Sequence, residues 1–213
     1  MPDASWIREH GIIAIIRGDY ADRITALTGA LHDGGVRIVE VTLNSPGALN
    51  MIAQLHAAYA EHMWIGAGTV LTEADVRNAA AAGAQFIVSP DTFPPVIAKA
   101  RELGLEPVPG AYTASEVRTA LRSGAQYIKL FPAMPAGPDY LRQIRAPLND
   151  AAFIPTGGVS ADNIDAFVRA GAVAFGVGSA LVPKAFTGSA ADVAALRAKA
   201  ERLCDALREA RTT

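Results

Sequence analysis

The sequence predicts a single-domain (β/α)8 TIM barrel over residues 1–213, on the basis of its alternating segments, its size and its composition. Short β-branched or apolar runs alternate with alanine-rich helical patterns in eight strand-then-helix units, an order typical of a parallel sheet with crossover helices. A chain of 213 residues with 51% hydrophobic and 19% charged residues suits one large, well-filled domain. Eight units in such a chain close most naturally into a barrel.

The predicted elements follow one another with short connections. The β-branched or apolar runs predict strands near 12–17, 37–43, 63–68, 85–89, 106–109, 126–131, 152–156 and 173–177. The alanine-rich stretches predict helices near 20–33, 46–60, 72–82, 92–103, 114–123, 138–145, 161–170 and 189–210. A doubly wound open sheet is the alternative architecture. It is disfavoured because no G-x-G-x-x-G pattern follows the first strand and no acidic residue is placed to bind a ribose.

A weak internal repeat links every second predicted strand. A helix end, a small-residue turn and a strand recur as GGVRIVEV (34–41), AGAQFIVSP (82–90), SGAQYIKLFP (123–132) and AGAVAFGVGS (170–179). When these segments are aligned on the glycine that ends each helix, Glu40, Val88, Lys129 and Gly176 fall at the same position. Alternate strands of a (β/α)8 barrel contribute to one interior layer, so Glu40 and Lys129 are predicted to point into the barrel near its C-terminal mouth.

Charge, cysteine content and hydropathy argue against several functional classes. The net charge is −2 with both signs interspersed, so no binding of nucleic acid is expected. The N-terminus is unlike a secretory signal, and the apolar run over 12–16 is too short to cross a bilayer. The single cysteine, Cys204, fits a cytoplasmic protein without an internal disulfide. The four histidines show no ligand spacing, so neither a metal site nor a cofactor is expected.

Lys129 and Glu40 are the predicted catalytic residues. Lys129 lies in Tyr-Ile-Lys-Leu-Phe-Pro, on a strand expected to be buried. A lysine at a strand end can extend its ammonium group to solvent. Inside an apolar layer, however, desolvation lowers its pKa and provides the neutral amine that attack on a ketone requires. Glu40, in Ile-Val-Glu-Val-Thr, is either a structural ion-pair partner of that lysine or the acid/base that Schiff-base chemistry needs.

Two glycine-rich turns predict a phosphate site. One follows the seventh predicted strand (155–160) and the other follows the eighth (176–180). The loops after strands seven and eight of (β/α)8 barrels recurrently bind phosphate, because their backbone N–H groups approach the anion closely. The predicted phosphate-binding residues are Gly157, Gly158, Gly178 and Ser179.

Further side chains at strand ends complete the predicted pocket. Arg17 ends the first strand and Thr69 follows the third. An arginine can bind a carboxylate through two hydrogen bonds, and a hydroxyl group can share that task. For Arg17 a solvated strand end is an equally good interpretation. Phe131 and Pro132 either shield the Lys129 side of the pocket or pack in the core.

Six short motifs occur in order over roughly residues 10–183: EVTL-x-S (40–45), GAGTVL (66–71), VSP (88–90), IKLFPA (128–133), PTGGV (155–159) and GVGSALV (176–182). Together they closely resemble the 2-keto-3-deoxy-6-phosphogluconate and 2-keto-3-deoxy-6-phosphogalactonate aldolases. The resemblance implies a class I aldolase, an aldehyde-lyase that converts a phosphorylated keto-deoxy sugar acid to pyruvate and D-glyceraldehyde 3-phosphate. It also implies that the enzyme needs no metal and is a homotrimer.

Carried over by position, the resemblance makes Lys129 the Schiff-base lysine and Glu40 the acid/base. It assigns the pyruvyl carboxylate to Thr69 and the phosphate to the two glycine turns. Arg17 is expected to share the carboxylate. The residues expected to line the rest of the pocket are Asn44, Pro90, Phe131 and Thr156.

One departure from the family pattern concerns the C4 epimer of the substrate. Gluconate-type enzymes usually carry arginine after EVTL, where this chain has Asn44. The run at 43–46, Arg17 and the Ala-Gly-Pro segment at 136–138 look more like the galactonate type, whereas Thr156 looks more like the gluconate type. The sequence therefore leaves the epimer open.

The predicted mechanism has two rivals. One is another phosphate-handling barrel, an isomerase or synthase that uses Glu40 as a base and Lys129 as an electrostatic group. The other is a non-catalytic sensor of a phosphorylated metabolite. Both predict no covalent adduct with pyruvate, and a sensor needs no acid/base beside a desolvated amine.

Overall fold

The computed structural model describes residues 3–134 and 136–212. The strands are β1 (Ile12–Ile16), β2 (Ile38–Thr42), β3 (Trp64–Gly68), β4 (Phe86–Val88), β5 (Glu106–Val108), β6 (Gly110–Ala111), β7 (Tyr127–Leu130), β8 (Ala152–Pro155) and β9 (Phe175–Val177). The helices are α1 (Ser5–His10), α2 (Ile24–Asp33), α3 (Ala48–Tyr59), α4 (Glu73–Ala81), α5 (Pro94–Glu102), α6 (Ala114–Arg122), α7 (Gly137–Arg145), α8 (Ile164–Arg169) and α9 (Ala190–Thr212). Every predicted strand and helix has a counterpart at its predicted place, with ends that differ by a few residues.

Two details differ from the prediction. The short helix α1 was not expected, because six residues are too few to display a helical period. The fifth predicted strand (106–109) corresponds to β5, and an additional short strand, β6, follows after Pro109, which has no N–H group to donate to a neighbouring strand. The Pro109 carbonyl still accepts a hydrogen bond of 2.9 Å from the Lys129 N–H. The chain therefore continues alongside β7 across the break.

The strands pair in parallel within two sheets. The larger sheet has the order β5-β4-β3-β2-β1-β9 and the smaller has the order β6-β7-β8. Only Pro109 separates β5 from β6, and a single parallel bridge joins Thr156, directly after β8, to Gly176 of β9. The fold is thus a parallel α/β fold with helices between successive strands. Closure of the two sheets into one eight-stranded barrel stays a prediction.

Residues of each strand alternate between two apolar environments. Val39 and Val41 of β2, and Ile128 and Leu130 of β7, belong to the large cluster that also contains the buried helix side chains. The alternate positions form a second cluster, which we call the inner cluster because it lies on the opposite face of the strands. Its members are Ile7, Ile13, Ile38, Trp64, Phe86, Val88, Val108, Tyr127, Ala152, Ile154 and Ala174.

Local rules account for the ends of several helices. Helices α4 and α6 each begin with a capping box, in which Thr72 and Thr113 accept a hydrogen bond from the third helical N–H group. The four glycines of the internal repeat have φ angles between 91° and 99°, a left-handed conformation that glycine adopts without steric cost. These glycines are Gly35, Gly83, Gly124 and Gly171. The repeat identified in the sequence is therefore a repeated helix-to-strand turn.

Candidate active site

Strand alternation places Lys129 and Glu40 on the same face as the inner cluster. Lys129 lies two residues after Tyr127 on β7, and Glu40 lies two residues after Ile38 on β2. The exposed fraction is 6% for Lys129 and 2% for Glu40. An amine and a carboxyl group are thus both buried within otherwise apolar surroundings.

Two glycines of β3 provide the space for this arrangement. A Cβ atom at Gly66 would lie 2.5 Å from the Phe86 ring, and a Cβ atom at Gly68 would lie 2.6 Å from Glu40 Oε1. Gly66 is also the parallel-sheet partner of Glu40. The Gly-Ala-Gly motif is therefore needed so that an aromatic ring and a carboxylate can fit against the strand.

Burial changes the protonation behaviour of both groups. Desolvation raises the pKa of Glu40, and the positive charges of Lys129 and Arg17 partly counteract it. Desolvation lowers the pKa of Lys129, Glu40 opposes this shift, and Arg17 lowers the pKa further. Both shifts increase the neutral fraction of the two groups. Lys129 Nζ also lies 4.9 Å from the centroid of the Phe131 ring.

Lys129 and Glu40 form no direct ion pair in the described part of the chain, so they influence each other through space. A structural ion pair would instead bring the charged atoms into contact, since contact offsets the cost of burying the charges. The geometry therefore favours the catalytic interpretation of Glu40 over the structural one.

A cavity of about 670 Å³ opens beside Lys129, at the carboxyl ends of β1, β7, β8 and β9. This volume lies within the range usual for small-molecule sites. Eight of the twelve predicted site residues line it: Arg17, Lys129, Phe131, Thr156, Gly157, Gly158, Gly178 and Ser179. The structure thus brings together the predicted amine, the arginine and both glycine turns.

The two glycine turns present unused hydrogen-bond donors to this cavity. In residues 3–134 and 136–212, the backbone N–H groups of Gly158, Gly178 and Ser179 have no protein acceptor, whereas Gly157 lies at the bridge between Thr156 and Gly176. Gly157 and Gly158 have φ angles of 93° and 82°, which directs successive N–H groups in a way that most other residues cannot adopt. Clustered free N–H groups in a concave turn form a binding site for an anion.

Four predicted site residues do not line the cavity. Glu40 is buried, Thr69 and Pro90 are partly buried and Asn44 is exposed, and none of the four is among the lining residues. Thr69 has a φ angle of 56° and is the one non-glycine residue with positive φ within the described ranges. Such strain is often found at functional sites. The Pro90 carbonyl packs against Gly110, which leaves no room for a larger residue there.

Sequence reasoning missed several residues of the cavity wall. Gly18, Tyr20 and Lys184 were not predicted as site residues, although all three line the cavity. Gly18 follows the predicted Arg17 directly and Tyr20 lies three positions after it, and this closeness was the available signal. Lys184 is one of only four lysines in the chain and follows the second glycine turn by a few residues. No strand or helix pattern indicates that it faces the cavity.

Neither a cluster of metal-binding side chains nor a membrane-spanning helix occurs in the described part of the chain. No group of three or more histidine, cysteine, aspartate or glutamate side chains in that part of the chain is arranged to hold a metal ion. Among the helices described, none combines the length and the apolar character that crossing a membrane requires.

Comparison with known proteins places these features in one group of enzymes. The family model described as KDPG and KHG aldolase matches residues 4–198. The 2-dehydro-3-deoxy-6-phosphogalactonate aldolase of Escherichia coli K12 is 40% identical over 177 residues, which cover 83% of this chain and 86% of that protein. A solved structure described as native KDPGal has a TM-score of 0.88 and 37% identity, covering 95% of this chain and 96% of its own.

A second solved structure bears on the chemistry. It is the KDPG aldolase of Legionella pneumophila, with pyruvate captured at low pH as a covalent carbinolamine intermediate. It has a TM-score of 0.85 and 25% identity, and the match covers 95% of this chain and 98% of that one.

The electrostatic coupling at Lys129 predicts opposite effects of two substitutions. Arg17→Met removes a positive neighbour and is expected to raise the pKa of Lys129, whereas Glu40→Gln removes a negative neighbour and is expected to lower it. Competitive labelling with acetic anhydride across a pH series, read by peptide mass spectrometry, measures the pKa of this amine. Lys199 of α9 serves as the internal reference. Shifts in the same direction in both variants would contradict the described geometry.

Proposed function

This chain belongs to the KDPG and KHG aldolase family, and on that premise we propose that Lys129 and Glu40 carry out its reaction. The protein is a class I aldolase that cleaves a 2-keto-3-deoxy-6-phospho sugar acid to pyruvate and D-glyceraldehyde 3-phosphate. The observation that carries the assignment of residues is a buried lysine with a lowered pKa, facing a cavity that ends in unused N–H groups.

The reaction begins with attack of the neutral Lys129 amine on the C2 carbonyl carbon. A C–N bond forms, and the carbonyl oxygen becomes the hydroxyl group of a carbinolamine. Glu40, whose protonated form is favoured because desolvation raises its pKa, donates its proton as the hydroxyl group leaves as water. The product is a protonated imine, and Glu40 is left as a carboxylate.

The protonated imine then draws electrons from the C3–C4 bond. Glu40, directly or through a water molecule, takes the proton of the C4 hydroxyl group as this bond breaks, and D-glyceraldehyde 3-phosphate leaves. The electron pair of the broken bond resides in the enamine of the pyruvyl group. Protonation at C3 and hydrolysis of the imine release pyruvate and restore the free amine of Lys129.

The other cavity residues hold the two charged ends of the substrate. Arg17 suits the carboxylate because a guanidinium group can form two parallel hydrogen bonds with it, and Thr69 is proposed to share this task. The N–H groups of the two glycine turns suit the phosphate. Binding energy from the phosphate positions the C3–C4 bond, which lies several bonds away. Asn44 and Pro90 are proposed to border the pocket when substrate is bound.

For the C4 epimer, we propose that 2-keto-3-deoxy-6-phosphogalactonate is the preferred substrate. The relative at 40% identity is named for this activity, and Arg17 and Asn44 both match the galactonate type. Arg17 lines the cavity and is available for the carboxylate contact that the gluconate-type arginine would otherwise make. Thr156 instead resembles the gluconate type.

We also propose that the two sheets form one closed (β/α)8 barrel and that residues 1–213 make a single domain. Three observations support closure: only Pro109 lies between β5 and β6, a bridge joins Thr156 to Gly176, and the inner cluster draws members from β1, β2, β3, β4, β5, β7 and β8. A closed sheet explains why the inner cluster is buried although α1 is the one described helix that contributes a member, Ile7, to it.

The homotrimer implied by the resemblance has a candidate contact surface. Leu49, Leu71 and Phe93 are 39%, 48% and 44% exposed, and they follow the adjacent strands β2, β3 and β4 near the carboxyl edge of the larger sheet. We define these three residues as the apolar rim. Three large exposed apolar side chains in neighbouring loops are typical of a surface that another subunit covers. We propose that the apolar rim forms the contact between subunits.

The proposed cellular compartment is the cytoplasm. Cys204, the single cysteine of the chain, is a free thiol. A free thiol fits a reducing compartment, and we therefore expect full activity in the presence of reductant.

Borohydride reduction in the presence of pyruvate tests the catalytic assignment. We expect a reduced pyruvyl adduct on Lys129, because the imine is trapped only where it forms. Lys129→Met is expected to lose the adduct and to lower kcat by roughly a thousandfold or more. Lys199→Met, on the outer helix α9, is the matched control. This variant is expected to keep both the adduct on Lys129 and the wild-type kcat. A folded wild-type protein without an adduct would favour the isomerase or sensor interpretation.

The preference for one epimer is tested by comparing kcat/KM for the two substrates. We expect kcat/KM to be roughly tenfold higher for the 6-phosphogalactonate substrate than for the 6-phosphogluconate substrate, a difference that one hydroxyl contact can supply. Lactate dehydrogenase coupled to the release of pyruvate measures both rates. Equal or inverted values would overturn the assignment of the epimer.

The subunit contact is tested by charging the apolar rim. The double variant Leu71→Asp/Phe93→Asp is expected to sediment as a monomer, because two buried charges would destabilise the contact by several kcal/mol. Leu103→Asp is the matched control, since Leu103 is 42% exposed but lies at the other end of α5. A trimeric double variant, or a monomeric wild type, would contradict the proposal.

A further inference from the structure

Lys184 lies at the wall of the active-site cavity without an assigned task. It lines the same cavity as the glycines of both turns. Within the described ranges it takes part in no ion pair and no hydrogen bond. Its side chain is exposed. An unpaired ammonium group beside unused N–H groups produces a positive potential that favours a multiply charged anion.

Residues before and after Lys184 are anchored in the core. Val182 is 4% exposed and Phe186 is 2% exposed, and both belong to the large apolar cluster. The Pro183 carbonyl accepts a hydrogen bond of 2.8 Å from the Tyr20 hydroxyl group. Tyr20 is itself buried, at 2% exposure. The exposed lysine therefore projects from an anchored segment, so its approach to the cavity requires little additional ordering.

Lys184 and Arg17 are the two cationic side chains that line the cavity in addition to Lys129. Arg17 is close enough to Lys129 and Glu40 to influence the protonation of both, whereas Lys184 is not among the groups that influence either one. A 2-keto-3-deoxy-6-phospho sugar acid has its carboxylate next to the reacting C2 carbon and its phosphate at the far end of the chain. The cavity therefore contains one cation that influences the reacting amine, Arg17, and a second, Lys184, for which the carboxylate end of the substrate gives no task.

We propose that Lys184 is a specificity-determining residue that binds the phosphate of the substrate together with the N–H groups of the two glycine turns. This inference rests on the proposed function, because it assigns a residue to the phosphate end of that substrate. The backbone donors provide the shape of the phosphate site, and Lys184 provides its positive charge. Lys184 thereby selects phosphorylated substrates over their unphosphorylated counterparts.

Tyr20 is a positioning residue in this arrangement. Its hydroxyl group binds the Pro183 carbonyl, which directly precedes Lys184, while its ring packs against Gly18 beside Arg17. Tyr20 therefore links the loop after β1, which carries the carboxylate-binding residue, to the segment after β9. Loss of this hydroxyl group is expected to weaken binding of phosphate by less than the loss of Lys184 itself.

The test compares Lys184→Met with Lys199→Met, a control at a half-buried lysine of α9 that does not line the active-site cavity. Lys184→Met is expected to raise KM for the phosphorylated substrate roughly tenfold at nearly unchanged kcat, in line with the loss of one partly screened charged contact. Inorganic phosphate is expected to compete with the substrate, and Lys184→Met is expected to raise its Ki by a similar factor. Lys184→Arg is expected to restore most of the affinity, and Tyr20→Phe to raise KM by a few-fold. For the unphosphorylated substrate, Lys184→Met is expected to change KM only slightly.

Each outcome bears on the proposal in a defined way. A loss of kcat/KM confined to the phosphorylated substrate supports it. Equal losses with both substrates, or no loss with either, would overturn it. Binding of inorganic phosphate to the wild-type protein and to Lys184→Met, measured by calorimetry, tests the lysine independently of catalysis. If pyruvate leaves no adduct on the wild-type protein, the proposed function fails. If the adduct forms and phosphate binds Lys184→Met as tightly as wild type, only the present inference fails.

Discussion

Burial of the Lys129 amine beside the inner cluster is the constraint on which the rest of the structure depends. Desolvation disfavours the ammonium form and thus makes the amine nucleophilic. The same burial destabilises the folded chain, because a buried charge lacks hydration. Glu40 opposes the shift through space without forming a direct ion pair. In both groups, desolvation shifts the pKa in favour of the neutral form and the charge of the partner opposes that shift.

The parallel arrangement of the strands explains why one cavity can collect all the required chemistry. Because successive strands run in the same direction, the loops after β1, β7, β8 and β9 open at the same edge. Strand alternation supplies the lysine and glutamate on the inner face, and the loops supply Arg17 and the glycine turns. Small residues on β3 leave space for the Glu40 carboxylate. Buried strand residues, strand-end arginines and glycine turns are each common in this kind of fold. The proposed function requires that they lie together at the same edge of the strands.

Much of the fold and site could be predicted because the signals are local. Strands and helices followed from hydrophobic runs and alanine-rich stretches, and the glycine repeat indicated the helix-to-strand turns. Alignment on that repeat indicated that Lys129 and Glu40 share a face, which follows from strand periodicity alone. The short strand β6 after Pro109 and the short helix α1 were missed, since so few residues leave almost no periodic signal. Asn44 and Pro90 were predicted for the pocket and lie away from the cavity wall.

The sequence by itself determined the order of the elements, the residues of the inner face and the chemistry of Lys129, because each depends on neighbours along the chain. Only the tertiary structure decided which side chains meet around the cavity. Tyr20 and Lys184 are 164 positions apart, yet the Tyr20 hydroxyl group binds the carbonyl directly before Lys184. No local pattern encodes that contact. It exists because the first and last strands, β1 and β9, pair side by side, which brings the loops that follow them together.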